Sequence, residues 1–279
     1  VTLIEAIILG IVQGLTEPLP VSSSAHLVII PALIPGFHQP SIFFDVILHV
    51  GTLSAVVFFL RKDIAEIVVS LLPGIGSRGV LPALTGEERI ANRRLLLLIV
   101  VATLLTGLIG IFFKERIEQL FESVEVTAVM LLITGLLLFF SDRVKKGTRD
   151  KGVMNLMDGI VIGLVQAMAL IPGISRSGST IAFGIFRKLE RETAARFSFL
   201  LSIPAIAGAA ILKAADMHQI PSWDLMALVA GFLSAAVTGF FALKLLFVVI
   251  NRTGLGPFAY YCWCAGTVTL IVQGMLLKG

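Results

Sequence analysis

Residues 95–113, LLLLIVVATLLTGLIGIFF, run for 19 positions without a charged side chain. At about 1.5 Å of rise per residue, a helix of that length crosses the roughly 30 Å of hydrocarbon in a bilayer. Five further stretches have similar length and apolarity: 42–60, 124–141, 197–213, 224–250 and 257–277. No soluble core of this size needs six such segments. The composition agrees, with 57% hydrophobic and 14% charged residues, against roughly 45–50% and 25% in a soluble domain. The expected fold is therefore an all-α integral membrane protein with about six transmembrane helices, and residues 1–279 form a single polytopic membrane domain. The net charge of +4 sits in loops and forms no basic face, which argues against a nucleic-acid partner. No basic n-region or small-residue cleavage site precedes the first apolar arm, so no cleaved signal peptide is expected. Cys262 and Cys264 stand two apart in a helical run, point to different faces, and imply neither disulfide nor metal.

Shorter apolar pieces carry the more informative signal. Residues 3–17 and 27–35 flank PVSSSAH (20–26), and 153–171 and 180–186 flank PGISRSGST (172–180). Most of these arms are too short to span, and each pair surrounds a Pro/Ser break, so both read as re-entrant helical hairpins. IAEIVVSLL, 64–72, reads as a short interfacial or re-entrant piece. The two hairpins also match each other. EAIILGIVQGLTEPLPVSSSAH from Glu5 aligns with DGIVIGLVQAMALIPGISRSG from Asp158, and FDVILHVGT from Phe44 aligns with FSFLLSIPA from Phe197. The chain reads as a duplication, with repeat one at about 1–141 and repeat two at about 153–279.

Segments 61–94, 142–152, 187–196 and 251–256 hold 16 of the 22 Lys and Arg. By the positive-inside rule they face the cytoplasm and both termini face outward. Three spans separate the copies, so the second repeat should be inverted relative to the first. The hairpin tips would then meet near mid-membrane from opposite sides, an architecture associated with transporters.

Each tip runs from proline through serines into a new half-helix, whose first N–H groups make an anion site. Arg176 lies at one tip, where an unpaired arginine costs about 2.5–3.5 kcal/mol, so it needs a partner: Glu17 or a phosphate. Serine, histidine, glutamate and arginine together supply a nucleophile, a proton shuttle, an acid or metal ligand, and an oxyanion clamp. Asp45 and His49, four apart, share a helix face and are expected to hydrogen-bond each other, with Asp45 framing the site as the alternative. Lys244 should snorkel to the cytoplasmic surface, and Glu5 and Asp158 should cap matching half-helices.

These motifs resemble the undecaprenyl-diphosphate phosphatase family, bacterial membrane enzymes linked to bacitracin resistance. That family carries (E/Q)xxxE, a PVSS(T/S)xH-like loop, and PGxSRSxxT; here they read QGLTE (Gln13–Glu17), PVSSSAH and PGISRSGST. The similarity runs the length of the chain. Gln13 stands where many members have glutamate, Ser24-Ala25 where Thr-Gly is common, and His49 where the family tends to have glutamine.

The resemblance implies hydrolysis of undecaprenyl diphosphate to undecaprenyl phosphate and inorganic phosphate, recycling the lipid carrier for cell-wall synthesis. It implies Ser23 as nucleophile, by match to the family's second serine, with His26, Glu17 and Arg176 completing the catalytic set. Ser22, Ser175, Ser177, Thr180, Gln13 and Gly173 would contact substrate, and Glu17 would ligate a divalent cation, Mg²⁺ or Ca²⁺. The implied partners are a polyprenyl diphosphate and membrane lipid, with self-association as a homodimer left open. The implied location is the bacterial inner membrane, the active site opening to the outer side. A membrane acid-phosphatase site is excluded, because the second histidine that it needs six residues after the arginine is Ala182. A secondary transporter or lipid flippase with an anion-binding site remains the alternative.

Overall fold

The structure is a computed structural model that describes residues 1–33, 42–72, 84–215 and 225–276. The outward segments expected near 36–41 and 216–223, and Arg78 in the first basic segment, lie outside the described residues. The first half of the chain forms α1 (Leu3–Thr16), α2 (Ser23–Leu33), α3 (Ile42–Phe59), α4 (Arg61–Leu71), α5 (Gly86–Phe112), α6 (Lys114–Leu120) and α7 (Val124–Asp142). After a short 3-10 turn at Lys151–Val153 come α8 (Leu156–Met168), α9 (Arg176–Phe186), α10 (Arg191–Ala215), α11 (Leu225–Arg252) and α12 (Gly256–Leu276). Among the described residues the only strand-like pairing is an isolated bridge between Arg149 and Leu189.

All six long apolar stretches are helical. Among the described residues α5, α7, α10 and α11 are long and apolar enough to cross a membrane. A fifth span results if α3 and α4, bent by 70° at Leu60, count as one broken element. Thus 64–72 is the second arm of that bent pair. Among the described residues α12, 21 residues long with Pro257, Tyr260, Tyr261, Trp263 and Gln273 in its run, is not in this set.

The short arms α1 and α8 begin alike. Thr2 and Asn155 each accept from the backbone N–H three residues on, and Glu5 and Asp158 reach back to the cap. Such capping boxes satisfy backbone donors that would otherwise face hydrocarbon. Each arm then packs tightly on a long helix through small residues. A Cβ on Gly10 would sit 2.5 Å from the Gly231 carbonyl oxygen of α11, and one on Gly163 would sit 2.6 Å from Ala102 Cα of α5. α1 therefore lies along α11 and α8 along α5, while α3 packs on α10 and α7 on α12.

One end of the molecule is bound by ion pairs. Arg149 and Arg187 both grip the fully buried Asp158, at 2.6 and 2.7 Å. Lys151 reaches Glu66 at 2.7 Å, Arg196 reaches Asp63 at 2.8 Å, and Arg191 reaches Asp142 at 3.2 Å. Asp142 also accepts from the N–H groups of Leu255 and Gly256, so it caps α12. The four basic segments of the sequence thereby gather on one side of the protein. Lys244 lies 4.6 Å from the Phe240 ring centroid, its ammonium covering the aromatic face.

Candidate active site

The two breaks meet. Pro20 of the first tip lies against Gly178 of the second, where an added Cβ would come within 3.1 Å of the proline ring. Each break is shaped by one residue in the left-handed region: Ser22 at φ +64° and Gly173 at φ +94°. At Gly173 a side chain would collide with the Thr127 carbonyl oxygen, so only glycine fits. Thr134 of α7 fastens this tip by donating to the Gly173 carbonyl (2.9 Å) and accepting from the Ser175 N–H (3.1 Å). Ser22 turns the chain into α2 and its hydroxyl accepts from the Ala25 N–H (3.3 Å); Ser175 does the same for α9 through Gly178 (3.1 Å).

Glu17, 9% exposed, sits at the junction. Its Oε1 accepts from Arg176 Nη2 at 2.9 Å, and its Oε2 accepts from Ser23 Oγ at 2.5 Å and Gln13 Nε2 at 3.2 Å. His49 of α3 brings Nε2 to 3.8 Å from the same Oε2. The carboxylate thus joins both hairpins, since Arg176 opens α9 and Ser23 opens α2. Two buried atoms at this junction have no hydrogen-bond partner: Arg176 Nη1 and Gln13 Oε1. Most buried polar groups are paired, so an orphaned donor and acceptor beside one carboxylate leave hydrogen-bonding capacity there for a further polar group. Phe199 lies below the guanidinium, 6.0 Å from its centre, and helps to orient it.

The remaining sequence candidates fall into two groups. Ser177 donates to the carbonyls of Glu17 (3.4 Å) and Leu19 (3.3 Å), which ties the second tip to the first. Thr180 is bound to the Arg176 carbonyl (2.7 Å) and to Ser198 (2.5 Å), one turn below the tip. In this arrangement both hydroxyls brace the tips. Gly173 contributes its backbone shape. Ser22 shares a 3.1 Å hydrogen bond with Ser24.

His26 points away from Ser23. Its Nδ1 is 2.8 Å from the Ser22 carbonyl oxygen and its Nε2 is 2.6 Å from the Tyr261 hydroxyl. The expected hydrogen bond between the Asp45 and His49 side chains is replaced by another. His49 Nδ1 contacts the Asp45 backbone carbonyl at 2.8 Å, which frees Nε2 to face Glu17. Asp45 Oδ1 is buried without a partner. Sequence reasoning missed Tyr261, Thr134 and the orientation of His49. All three reach the site across the fold from helices whose periodicity reads as ordinary packing.

Among the described residues no group of three or more His, Cys, Asp or Glu is placed to hold a metal by protein ligands alone. Glu17 and the orphaned Gln13 oxygen together form a partial oxygen-donor set.

The class follows from these features: a multi-pass helical membrane protein in which two short-helix hairpins bring serine, glutamate and arginine to one buried point. The family model for the bacitracin resistance protein BacA matches residues 6–268, and the chain belongs to that family. It is 42% identical over 270 residues to the undecaprenyl-diphosphatase of Methanobrevibacter smithii, covering 96% of this chain and 97% of that one. The undecaprenyl-diphosphatase of Syntrophotalea carbinolica is 41% identical, with coverage of 94% and 96%. That of Desulfosudis oleivorans is 45% identical, with coverage of 96% and 97%.

Proposed function

We propose that this protein hydrolyses undecaprenyl diphosphate to undecaprenyl phosphate and inorganic phosphate, and so contributes to lipid-carrier recycling and bacitracin resistance. One observation carries the reading: the buried, unpartnered Nη1 of Arg176 beside the Ser23–Glu17 hydrogen bond. A planar guanidinium with one edge held by a carboxylate and one nitrogen free suits a phosphate oxygen. Ser23 Oγ would attack the terminal phosphorus while its proton passes to Glu17 Oε2. The bond from phosphorus to the bridging oxygen breaks, and undecaprenyl phosphate leaves. Water then attacks the phosphoserine, and Ser23 leaves as its oxygen regains the proton.

The donor set fits a divalent cation, Mg²⁺ or Ca²⁺, provided that phosphate oxygens complete the shell. Glu17 and Gln13 Oε1 would hold it, and when bound it offsets the charge of the diphosphate. Arg176 meets the other oxygen of the carboxylate, which supports a lipid phosphate binding between the two tips.

The helix contacts support an inverted duplication. Exchanging α1, α2, α3, α5 and α7 with α8, α9, α10, α11 and α12 turns the pair α1–α11 into α8–α5, and α12–α2 into α7–α9. It leaves α3–α10 and α7–α12 unchanged, as a two-fold relation requires. On this reading the first copy carries Ser23 and Glu17 while the second carries Arg176. The basic segments gathered at one end support a cytoplasmic face there, with both termini and the site opening on the outer side of the cell membrane. Paired half-helices also suit a carrier or flippase; the Ser23–Glu17–Arg176 set favours hydrolysis. Purified protein incubated with a polyprenyl diphosphate should release inorganic phosphate, and no release would end the reading.

A further inference from the structure

His26 makes two hydrogen bonds that together select the tautomer of its neutral ring. Nδ1 lies 2.8 Å from the Ser22 carbonyl oxygen. A carbonyl can only accept, so Nδ1 carries the hydrogen. In the neutral ring Nε2 is then left with its lone pair, and the Tyr261 hydroxyl at 2.6 Å donates to it. The two rings are offset and nearly parallel, with centroids 5.8 Å apart and planes 16° from each other. The contact therefore restrains the plane of the imidazole as well as its tautomer.

Tyr261 belongs to α12, 235 residues further along the chain. The next residue, Cys262, places its sulfur 3.6 Å from the Pro20 carbonyl oxygen. α12 thus meets the first tip at both Pro20 and His26. Tyr260, one position earlier, packs its ring against Phe139 and Trp263. The neighbouring tyrosine therefore serves as an internal control.

We propose that Tyr261 is a positioning residue for His26. Its hydroxyl holds the imidazole as the Nδ1–H tautomer with Nε2 as the acceptor, and its ring fixes the plane. This inference rests on the hydrolase reading above. It assigns separate work to the two groups named together in the sequence. Glu17 receives the proton of Ser23, while His26, with both ring nitrogens engaged, braces the first turn of α2, the helix that Ser23 opens. A histidine released by the phenol would hold the Ser22 carbonyl, and with it the turn that sets Ser23, only part of the time.

The full chain, labelled with ¹⁵N-histidine and placed in lipid nanodiscs, gives a direct test. His26→Gln identifies the His26 resonances by their loss. The wild type should show a protonated Nδ1 and a hydrogen-bonded, unprotonated Nε2. Tyr261→Phe keeps the ring and removes the donor, so the Nε2 resonance should move toward that of an unbonded acceptor. In the same variant kcat for phosphate release should fall about 3- to 10-fold, the worth of one hydrogen bond, with KM within about twofold. Tyr260→Phe should leave both readouts unchanged. An unchanged His26 signature in Tyr261→Phe overturns the proposal. So does a shifted signature with wild-type kcat, or a loss confined to KM. If the wild type releases no phosphate, the hydrolase reading and the kinetic half fail together, while the ¹⁵N spectrum still decides the tautomer.

Discussion

Replacing Arg176 with lysine separates two roles that the guanidinium combines. Nη2 is held by Glu17 Oε1 at 2.9 Å, in a pair whose side chains are 15% and 9% exposed. Nη1 is buried and unpartnered. Lysine has a single nitrogen, so it can keep the ion pair or reach the phosphate, but not both. Breaking a buried pair outright costs about 3–5 kcal/mol, which gives a strong preference for keeping Glu17 satisfied. The expected outcome is a folded protein without its phosphate donor. Losing one such donor from a buried site is worth roughly 3–4 kcal/mol, or about 10² to 10³ in kcat. Phosphate release from a polyprenyl diphosphate in detergent measures the rate, and thermal unfolding of the same sample measures the fold. The lysine variant should melt within about 3 °C of wild type, since less than about 1 kcal/mol of structural interaction is lost. Arg176→Ala, which leaves Glu17 charged and without its arginine partner, should lower both rate and melting temperature. Turnover by Arg176→Lys within tenfold of wild type would refute the reasoning, because the orphaned Nη1 would then have no role.

Ser23→Ala should abolish turnover, since alanine has no oxygen to attack phosphorus, and mass spectrometry of rapidly trapped wild type should find phosphate on Ser23; its absence there favours direct attack by water. Excess EDTA should stop the reaction, and Glu17→Gln should sharply raise the Mg²⁺ or Ca²⁺ concentration needed to restore any rate; full wild-type activity in EDTA removes the cation from the scheme. Gly173→Ala should destabilise the protein by about 1–3 kcal/mol or more, because a left-handed φ and a collision with Thr127 act together; an unchanged melting temperature would contradict the geometry of the second tip. In a background with Cys262 and Cys264 replaced, Glu118→Cys should react with an impermeant thiol reagent on intact cells and Lys146→Cys should not; the reverse labelling would invert the proposed orientation.

Membrane insertion, helix positions and the two hairpins were legible in the sequence because they depend on local quantities. A run such as 95–113 has no alternative to a spanning helix, since every backbone group in lipid must be satisfied within the segment. Thr2, Asn155 and the Pro/Ser breaks are local punctuation too, and α1, α2, α8 and α9 formed around them. The number of spans was less legible. The tyrosines, Trp263 and Gln273 of α12 lower its apolarity, so this is the helix for which composition speaks least clearly of a span.

Glu17 and Arg176 stood out in the sequence as charges too costly to bury without purpose, and Ser23 by match to the second serine of the family motif. Of their contacts the sequence offered Glu17 as a partner for Arg176, and the structure pairs the two at 2.9 Å; the others it did not offer. Whether His26 faces Ser23 or Tyr261 depends on where α12 lies, and whether His49 pairs with Asp45 or turns to Glu17 depends on how α3 meets the end of α1. Helical spacing sets only which residues share a face. The facing partner is set by packing between segments more than 100 residues apart, and that packing is decided by small residues such as Gly10 and Gly163, whose lack of a side chain lets the helices approach. The sequence alone determined a lipid-embedded helical chain with two polar breaks expected to meet; the tertiary structure decided that one carboxylate joins them and that one guanidinium nitrogen beside it has no hydrogen-bond partner.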